Sequence, residues 1–383
     1  MNGSLSVPMP AVGWRERLGA LAAELRLDGG LVALFVASRV LIVVAAFVAE
    51  ALIPRNPLLE PGADGPILRS LTSWDGAFYL SIVRDGYQAD LVLGAYSNIA
   101  FPPLYPLIVR LLSWPIPGSE GIVAILVANL AFLAALALLV RLGTPYLGRR
   151  RSAIAAGLLV IYPFASVFGM AYSESLFLLL MVAAFLAAER GHRAWAGIFL
   201  LLTVLCRLQG VALVLPLLIL MLRQDGWRPR PSLGWLALGP LAFVAFLAYI
   251  ASVTGTPTAF LDAQQAWGRE GIGGAAPDGT IGAMFTPYQG ALVATLLATT
   301  FLLIFRRIDR LRIEYWLVPA LFIAAELSSG SLEAVGRITM LAFPIVWILA
   351  NRRSRFVRRA WPTVSAGLFA IVAVLQFGGY WVP

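Results

Sequence analysis

Long apolar stretches recur along this chain from residue 31 to its end, and that feature limits what it can fold into. About 18 or more apolar residues are what a helix needs to cross the hydrocarbon core of a bilayer. The apolar segments fall near 31–53, 121–142, 152–171, 174–188, 194–206, 208–222, 233–254, 291–305, 314–328, 337–350 and 360–380. Only 13% of the 383 residues are charged and 60% are hydrophobic, too little charge to keep the surface of a soluble domain wet. The first segment starts too late and runs too long for a cleavable signal peptide, so it reads as a retained first span. The expected architecture is an all-α polytopic membrane protein, a single domain over residues 1–383. No repeat of fixed period and no low-complexity linker divides it.

The basic residues give this object two sides. All 29 Lys+Arg positions are arginine, and they sit in short loops between apolar segments rather than in a nucleic-acid-binding stripe. Placing the N-terminus and the loops 141–151, 190–193, 223–230, 306–312 and 352–359 in the cytoplasm puts 21 of 29 arginines inside. Seven remain outside, Arg39 lies within the first span, and 13 of the 20 acids fall outside. The arginine bias, with abundant Ala, Gly, Val and Leu, points to a GC-rich bacterial genome, hence a bacterial plasma membrane.

Parity then sorts two ambiguous regions. Residues 121–142 make the crossing from outside to inside, so 99–116, with Pro102, Pro103, Pro106 and Arg110, lie at the outer interface or re-enter. Residues 194–222 start and end inside and must cross an even number of times, which favours a short helical hairpin turning at Arg207-Leu208-Gln209-Gly210 over one long tilted helix with a buried Arg207. About eleven spans result, with the C-terminus outside. Two sizeable outer loops remain, at 54–120 and 255–290.

Polar residues of chemical interest gather on that outer side. The loop after the first span carries Ser73-Trp74-Asp75-Gly76-Ala77-Phe78-Tyr79, then Arg84-Asp85-Gly86-Tyr87 and Phe101-Pro102-Pro103-Leu104-Tyr105-Pro106. Apolar residues at 74, 78, 79, 82 and 83 fit a helix lying on the membrane surface, with Asp75 at its start as an N-cap or as a functional acid. Glu174, in Tyr172-Ser173-Glu174-Ser175, offsets a helix N-terminus or joins a site. Arg207 interrupts a strongly apolar run, where an ionisable residue is a functional candidate by default. Arg337 opens the 337–350 span and could equally snorkel at a helix end. Glu326 and Glu333 are further outer acids with a solvated-loop alternative.

Other chemistries find little support. One cysteine (Cys206) and one histidine (His192) exclude an internal disulfide and the usual Cys/His zinc clusters. His192 sits in a basic loop without triad partners. Gly271-Ile272-Gly273-Gly274 follows no strand, and no D-x-D pair presents carboxylates to a metal, so neither metal nor other cofactor is expected.

Taken jointly, Trp74-Asp75-Gly76-Ala77-Phe78-Tyr79, Gly86-Tyr87, Ala100-Phe101-Pro102-Pro103-Leu104-Tyr105-Pro106, Tyr172-Ser173-Glu174-Ser175-Leu176-Phe177 and Arg207-Leu208-Gln209-Gly210 resemble the PIG-V-like mannosyltransferases of the GT-C superfamily. The matched motifs span about residues 70–215, with Gly76 for the family's usual Ala and Pro102 for its second Phe. The resemblance implies a GT-C-like bundle with interfacial helices in the first outer loop. It also implies inverting transfer of a sugar, typically mannose, from a polyprenyl-phosphate donor to a hydroxyl outside the cytoplasm. The family's acid falls on Asp75 as catalytic base. Arg207 or Arg337, or both, are then expected to hold the donor phosphate, and Glu174, Tyr79 and Gln209 to orient substrate. Trp74 and Trp267 would stack on sugar faces, and Gln265 would help close the site. The acceptor stays open among a glycolipid, a polysaccharide and a protein. The competing class is a transporter or flippase of lipid-linked saccharides, which would favour repeat symmetry and midplane polar residues over an outer-edge cluster.

Overall fold

A computed structural model of the chain describes residues 27–54, 65–265, 312–329, 335–351 and 355–379. Among these every regular element is helical: α1 (Gly29–Leu52), α2 (Pro66–Leu71), α3 (Asp75–Asp85), α4 (Leu104–Ser113), α5 (Glu120–Leu147), α6 (Arg149–Val160), α7 (Glu174–Glu189) and α8 (Arg193–Cys206). Then come α9 (Val214–Gln224), α10 (Leu238–Thr254), α11 (Ala259–Gln265), α12 (Ile313–Ser329), α13 (Val335–Leu341), α14 (Pro344–Ala350) and α15 (Arg355–Phe377). Short 3₁₀ turns occupy Asn98–Ala100, Ala165–Gly169, Leu208–Leu213 and Pro231–Ala237.

Among the described residues four helical stretches, Gly29–Leu52, Glu120–Leu147, Pro231–Thr254 and Arg359–Phe377, are long and apolar enough to cross a membrane. Their faces show why. α1 buries Ile42, Ala45, Ala46 and Ala49 against its neighbours while Val36, Val40, Val43, Val44 and Phe47 stay exposed. α5 buries Ala124, Ala128, Ala131 and Ala135 and exposes Ile122, Leu126 and Leu130. Small residues inside let helices approach closely, and large apolar residues outside suit lipid rather than water. The protein is a multi-pass membrane protein.

The expected hairpin is present. Arg193, opening α8, donates to Asp225 Oδ1 at 3.0 Å just beyond α9, so the chain doubles back between them. The turn needs Gly210: a Cβ there would lie 3.0 Å from the Thr203 carbonyl carbon and oxygen. α4, only ten residues, is too short to span the roughly 30 Å core. It exposes Leu107, Leu111 and Leu112 along one face, as an interfacial segment would.

Two expected spans are broken rather than continuous. The 152–171 segment is helical only to Val160 and then passes through turns to the 3₁₀ Ala165–Gly169, because Pro163 lacks a donor and pushes Tyr162 out of helical geometry. The 337–350 segment splits into α13 and α14 for the same reason, with Pro344 restarting the helix at its first turn. The 291–305 segment and residues 266–290 of the second loop lie outside the described residues.

α7 fixes the polarity of the bundle. Glu174 stands at its start and Glu189 at its end, about 22 Å apart along the axis. Glu189 accepts from Tyr315 at 2.7 Å and from Tyr146 in the last turn of α5, immediately before Arg149, Arg150 and Arg151. Glu174 therefore marks the end of the bundle opposite those arginines.

Candidate active site

The chain between α2 and α3 sets the site. Trp74 occupies the position before α3 with φ 57° and ψ −130°, a left-handed backbone that is strained for a side chain with a Cβ. Its indole N–H donates to the Gln376 carbonyl on α15 at 3.0 Å, which anchors the strained turn. The Ala171 N–H donates to the Leu71 carbonyl at 2.8 Å, holding the Tyr172-Ser173-Glu174 turn beside it. Asp75 is therefore the first residue of α3 rather than its N-cap. The capping reading fails because Trp74 takes that position, and the carboxylate turns away from the helix to meet a cation.

That cation is Arg337. Its Nη1 donates to Asp75 Oδ2 and, at 3.3 Å, to Glu174 Oε1. Arg207 Nη1 donates to the same Glu174 oxygen at 2.8 Å and to Ser173 Oγ at 3.2 Å. Tyr79 Oη and Ser173 Oγ share a hydrogen bond of 2.6 Å. Two carboxylates and two guanidiniums thus balance to zero, and all four residues are withdrawn from water: Asp75 is 8% exposed, Glu174 0%, Arg207 7% and Arg337 6%. Burying four charges carries a desolvation cost that a merely structural core avoids, which favours a functional reason for them. Two valences stay unspent: Glu174 Oε2 and Arg337 Nε have no hydrogen-bond partner among the described residues.

The aromatic motif residues build the support. The Tyr79 ring meets Phe101 and Tyr105 edge-on, each at 5.0 Å between centroids, and Phe78 stacks on Phe101 at 5.3 Å. Tyr105 donates to the Ala124 carbonyl at 2.8 Å, and Tyr87 donates to the Phe101 carbonyl at 2.7 Å. Asn98 ties the intervening loop by donating to Ser81 Oγ and the Gly86 carbonyl, both at 3.0 Å. Burial pushes the Tyr79 hydroxyl well above the usual tyrosine range, with Arg207 opposing and the Glu174 and Asp75 carboxylates adding. Tyr79 is a neutral hydroxyl here, not a base.

The structure thus brings Asp75, Tyr79, Glu174, Arg207 and Arg337 into one network, with Trp74 adjoining. It does not do so for all the expected residues. Gln209 sits half-buried in the 3₁₀ turn after Arg207, and Gln265 is exposed at the last turn of α11; no hydrogen bond joins either to the network among the described residues. Arg337 is no snorkelling terminus but a buried residue within α13. Trp267 and Glu333, and the side chain of Glu326, lie outside what is described. Three contributors carry weaker signals. Ser173, bridging Tyr79 and Arg207, stands inside the Tyr-Ser-Glu-Ser motif. Gln376, which accepts from Ser166 Oγ at 2.6 Å as well as holding Trp74 by its carbonyl, is a lone amide in an apolar span. Gly336 lets the Phe164 ring press on α13: a Cβ there would lie 2.5 Å from two ring carbons. Among the described residues no group of three or more His, Cys, Asp or Glu could hold a metal ion.

A family model described as mannosyltransferase (PIG-V) matches residues 31–222, half of the chain. The chain belongs to the PIG-V mannosyltransferase family. Three of the four charged network residues of this PIG-V family member fall within the match, and Arg337 lies beyond it. GPI mannosyltransferase 2 from Chaetomium globosum is 33% identical over 150 residues, which are 35% of this chain and 31% of that protein. The chain therefore aligns with under a third of the length of that curated relative. Among solved structures, ArnT from Cupriavidus metallidurans bound to undecaprenyl phosphate aligns at TM-score 0.51 and 16% identity, covering 92% of this chain and 76% of that one. The Archaeoglobus fulgidus oligosaccharyltransferase tethered with an acceptor peptide aligns at 0.51 and 14%, covering 92% and 56%. At such identities the likeness is one of fold, and the fold is GT-C-like.

Proposed function

We propose that this PIG-V family member is an inverting glycosyltransferase that moves a sugar, by family mannose, from a polyprenyl-phosphate donor to an acceptor hydroxyl on the extracytoplasmic face. The observation that carries the reading is the buried Asp75–Arg337–Glu174–Arg207 network at the bundle end opposite Arg149–Arg151. The positive-inside distribution of arginines supports that side, and the undecaprenyl phosphate bound to the ArnT of like fold supports a lipid-phosphate donor.

A sugar on a lipid phosphate has its anomeric carbon held near the headgroup plane, so the enzyme needs a base and cations at that depth. In the proposed step Asp75 takes the proton of the acceptor hydroxyl as its oxygen attacks the anomeric carbon. The bond from that carbon to the phosphate oxygen breaks, and the lipid phosphate leaves with the electron pair. Guanidiniums suit the leaving phosphate because they bind planar oxygen pairs and stay charged. Arg337 now spends a nitrogen on Asp75. A donor phosphate would draw Arg337 away and return Asp75 its basicity, so the base becomes competent as the donor binds. Glu174 holds both arginines in place, and its free Oε2 is available to a sugar hydroxyl. The reading calls for no metal and takes the chain as one membrane domain.

The test is transfer of labelled mannose from polyprenyl-phosphate mannose to membrane acceptors by purified wild type, Asp75→Asn and Asp75→Ala. Loss of transfer in both variants, with the protein still folded, is expected. Near-wild-type rates in both would remove Asp75 as base, and sugar-lipid flipping without transfer would favour the transporter class.

A further inference from the structure

We propose that Gln376, near the end of α15, is a positioning residue for the transfer step: it ties the turn that presents Asp75 to the turn that presents Glu174. The inference rests on the reading of Asp75 as the base. Gln376 lies beyond the residues matched by the family model and is 1% exposed. From Ala366 to Phe377 it is the sole polar side chain of that helix. A buried amide in an apolar helix is costly unless its hydrogen bonds are made, and a Leu or Met would fill the same space without that cost.

Both ends of the residue are engaged, each by a different turn. Its main-chain carbonyl lies in the last turn of α15, where helical partners run out, and accepts from the Trp74 indole N–H at 3.0 Å and the Gly379 N–H at 3.1 Å. Its side-chain Oε1 accepts from Ser166 Oγ at 2.6 Å, and its Nε2 points at Met170 Sδ. Ser166 belongs to the 3₁₀ turn Ala165–Gly169, from which the chain runs through Met170, Ala171, Tyr172 and Ser173 to Glu174. The Ala171 N–H closes the circuit on the Leu71 carbonyl at 2.8 Å, just before Trp74. A side chain with a Cβ keeps a φ of 57°, as Trp74 does, only while its surroundings hold it there. Asp75 is the next residue, so relaxation of Trp74 would turn its carboxylate away from Arg337. Among the described residues no hydrogen bond joins Gln376 to the side chains of Asp75, Glu174, Arg207 or Arg337, so it acts through the two turns and not on the substrate.

Steady-state transfer of labelled mannose from polyprenyl-phosphate mannose by the purified full chain tests this, with Gln376→Met, Ser166→Ala and the double variant. Displacing a reacting group by about 1 Å can cost about a hundredfold in rate, so kcat for Gln376→Met should fall about 10- to 100-fold while KM for the donor stays within about threefold. Ser166→Ala, a smaller cut at the same bond, should lower kcat as well, and the double variant should be no slower than Gln376→Met alone. That milder variant keeps the test decisive where Gln376→Met folds poorly. Phe369→Leu loosens a buried position about 10 Å back along the same helix and should lower the melting temperature with kcat unchanged. A kcat for Gln376→Met within about twofold of wild type, an equal loss in Phe369→Leu, or multiplying losses in the double variant would overturn the proposal. Absence of transfer in wild type, or normal transfer by Asp75→Asn, would instead remove the base itself and the positioning role with it.

Discussion

Removing Arg337 should break the balance of the network, and restoring the balance should repair stability without repairing activity. In wild type the four charges sum to zero. Arg337→Met leaves Asp75 and Glu174 sharing Arg207, a buried net charge of one negative unit. The lost attraction between Arg337 Nη1 and Glu174 Oε1 at 3.3 Å is about 5 kcal/mol at an effective dielectric of 20, before desolvation is counted. Breaking one partner of a buried pair costs about 3–5 kcal/mol net. Glu174→Gln leaves one positive unit and should cost a comparable amount. The double variant is neutral again, and the amide oxygen that Glu174→Gln leaves in place can still accept from Arg207. Its destabilisation should therefore fall short of the sum of the two by about 2–3 kcal/mol. Equilibrium unfolding of the four purified proteins in mixed micelles measures this cycle. Additivity within about 0.5 kcal/mol would refute the coupling. Mannose transfer should stay lost in the double variant if Arg337 is, as proposed, the ligand of the donor phosphate. Recovery of transfer along with stability would make Arg337 a scaffold residue and refute its role at the phosphate.

Other positions give independent checks. Gly336→Ala drives a Cβ to 2.5 Å from the Phe164 ring beside Arg337, so it should destabilise the protein by about 1–3 kcal/mol and reduce transfer, read by thermal unfolding and by rate. Gly76→Ala installs the family's usual residue where the nearest atom, the Ala171 carbonyl oxygen, lies at 3.4 Å; the melting temperature should rise, by about 0.5–1 kcal/mol of helix stabilisation. Asn129→Leu removes the oxygen that Arg39 Nη1 reaches at 3.0 Å within the first span, and Arg39 Nη2 already has no hydrogen-bond partner among the described residues; a loss of about 1–3 kcal/mol in unfolding free energy is expected. Stability unchanged by Asn129→Leu would show that the Phe35 and Phe132 rings, 4.8 and 5.3 Å from that guanidinium, suffice to hold it.

Much of the site was legible as separate signals. Asp75 and Tyr79 share one outer loop, Glu174 marks a turn between apolar segments, and Arg207 interrupts a hydrophobic run. What was not legible was how each side chain would be used. Asp75 reads as an N-cap because acids at helix starts usually are, and nothing local reveals that Trp74 adopts a left-handed backbone and takes that place. Ser173 and Gln376 look like ordinary polar residues until the fold sets one against Arg207 and the other against Trp74. Pro163 and Pro344 divide two of the expected spans, a break that apolar length alone concealed.

The sequence by itself determined the membrane class, since apolar segments of spanning length with so little charge admit no soluble fold, and the parity of crossings pointed to the helical hairpin at Arg207, whose close approach at Gly210 only the structure shows. Only the tertiary structure decided the charge pairing. Arg337 reaches Asp75 across 262 positions and shares Glu174 with Arg207 because α3, α7, the turn after α8 and α13 converge at one end of the bundle. Local composition records which residues can cross a membrane, whereas a buried ion pair depends on where separate helices come to rest against one another.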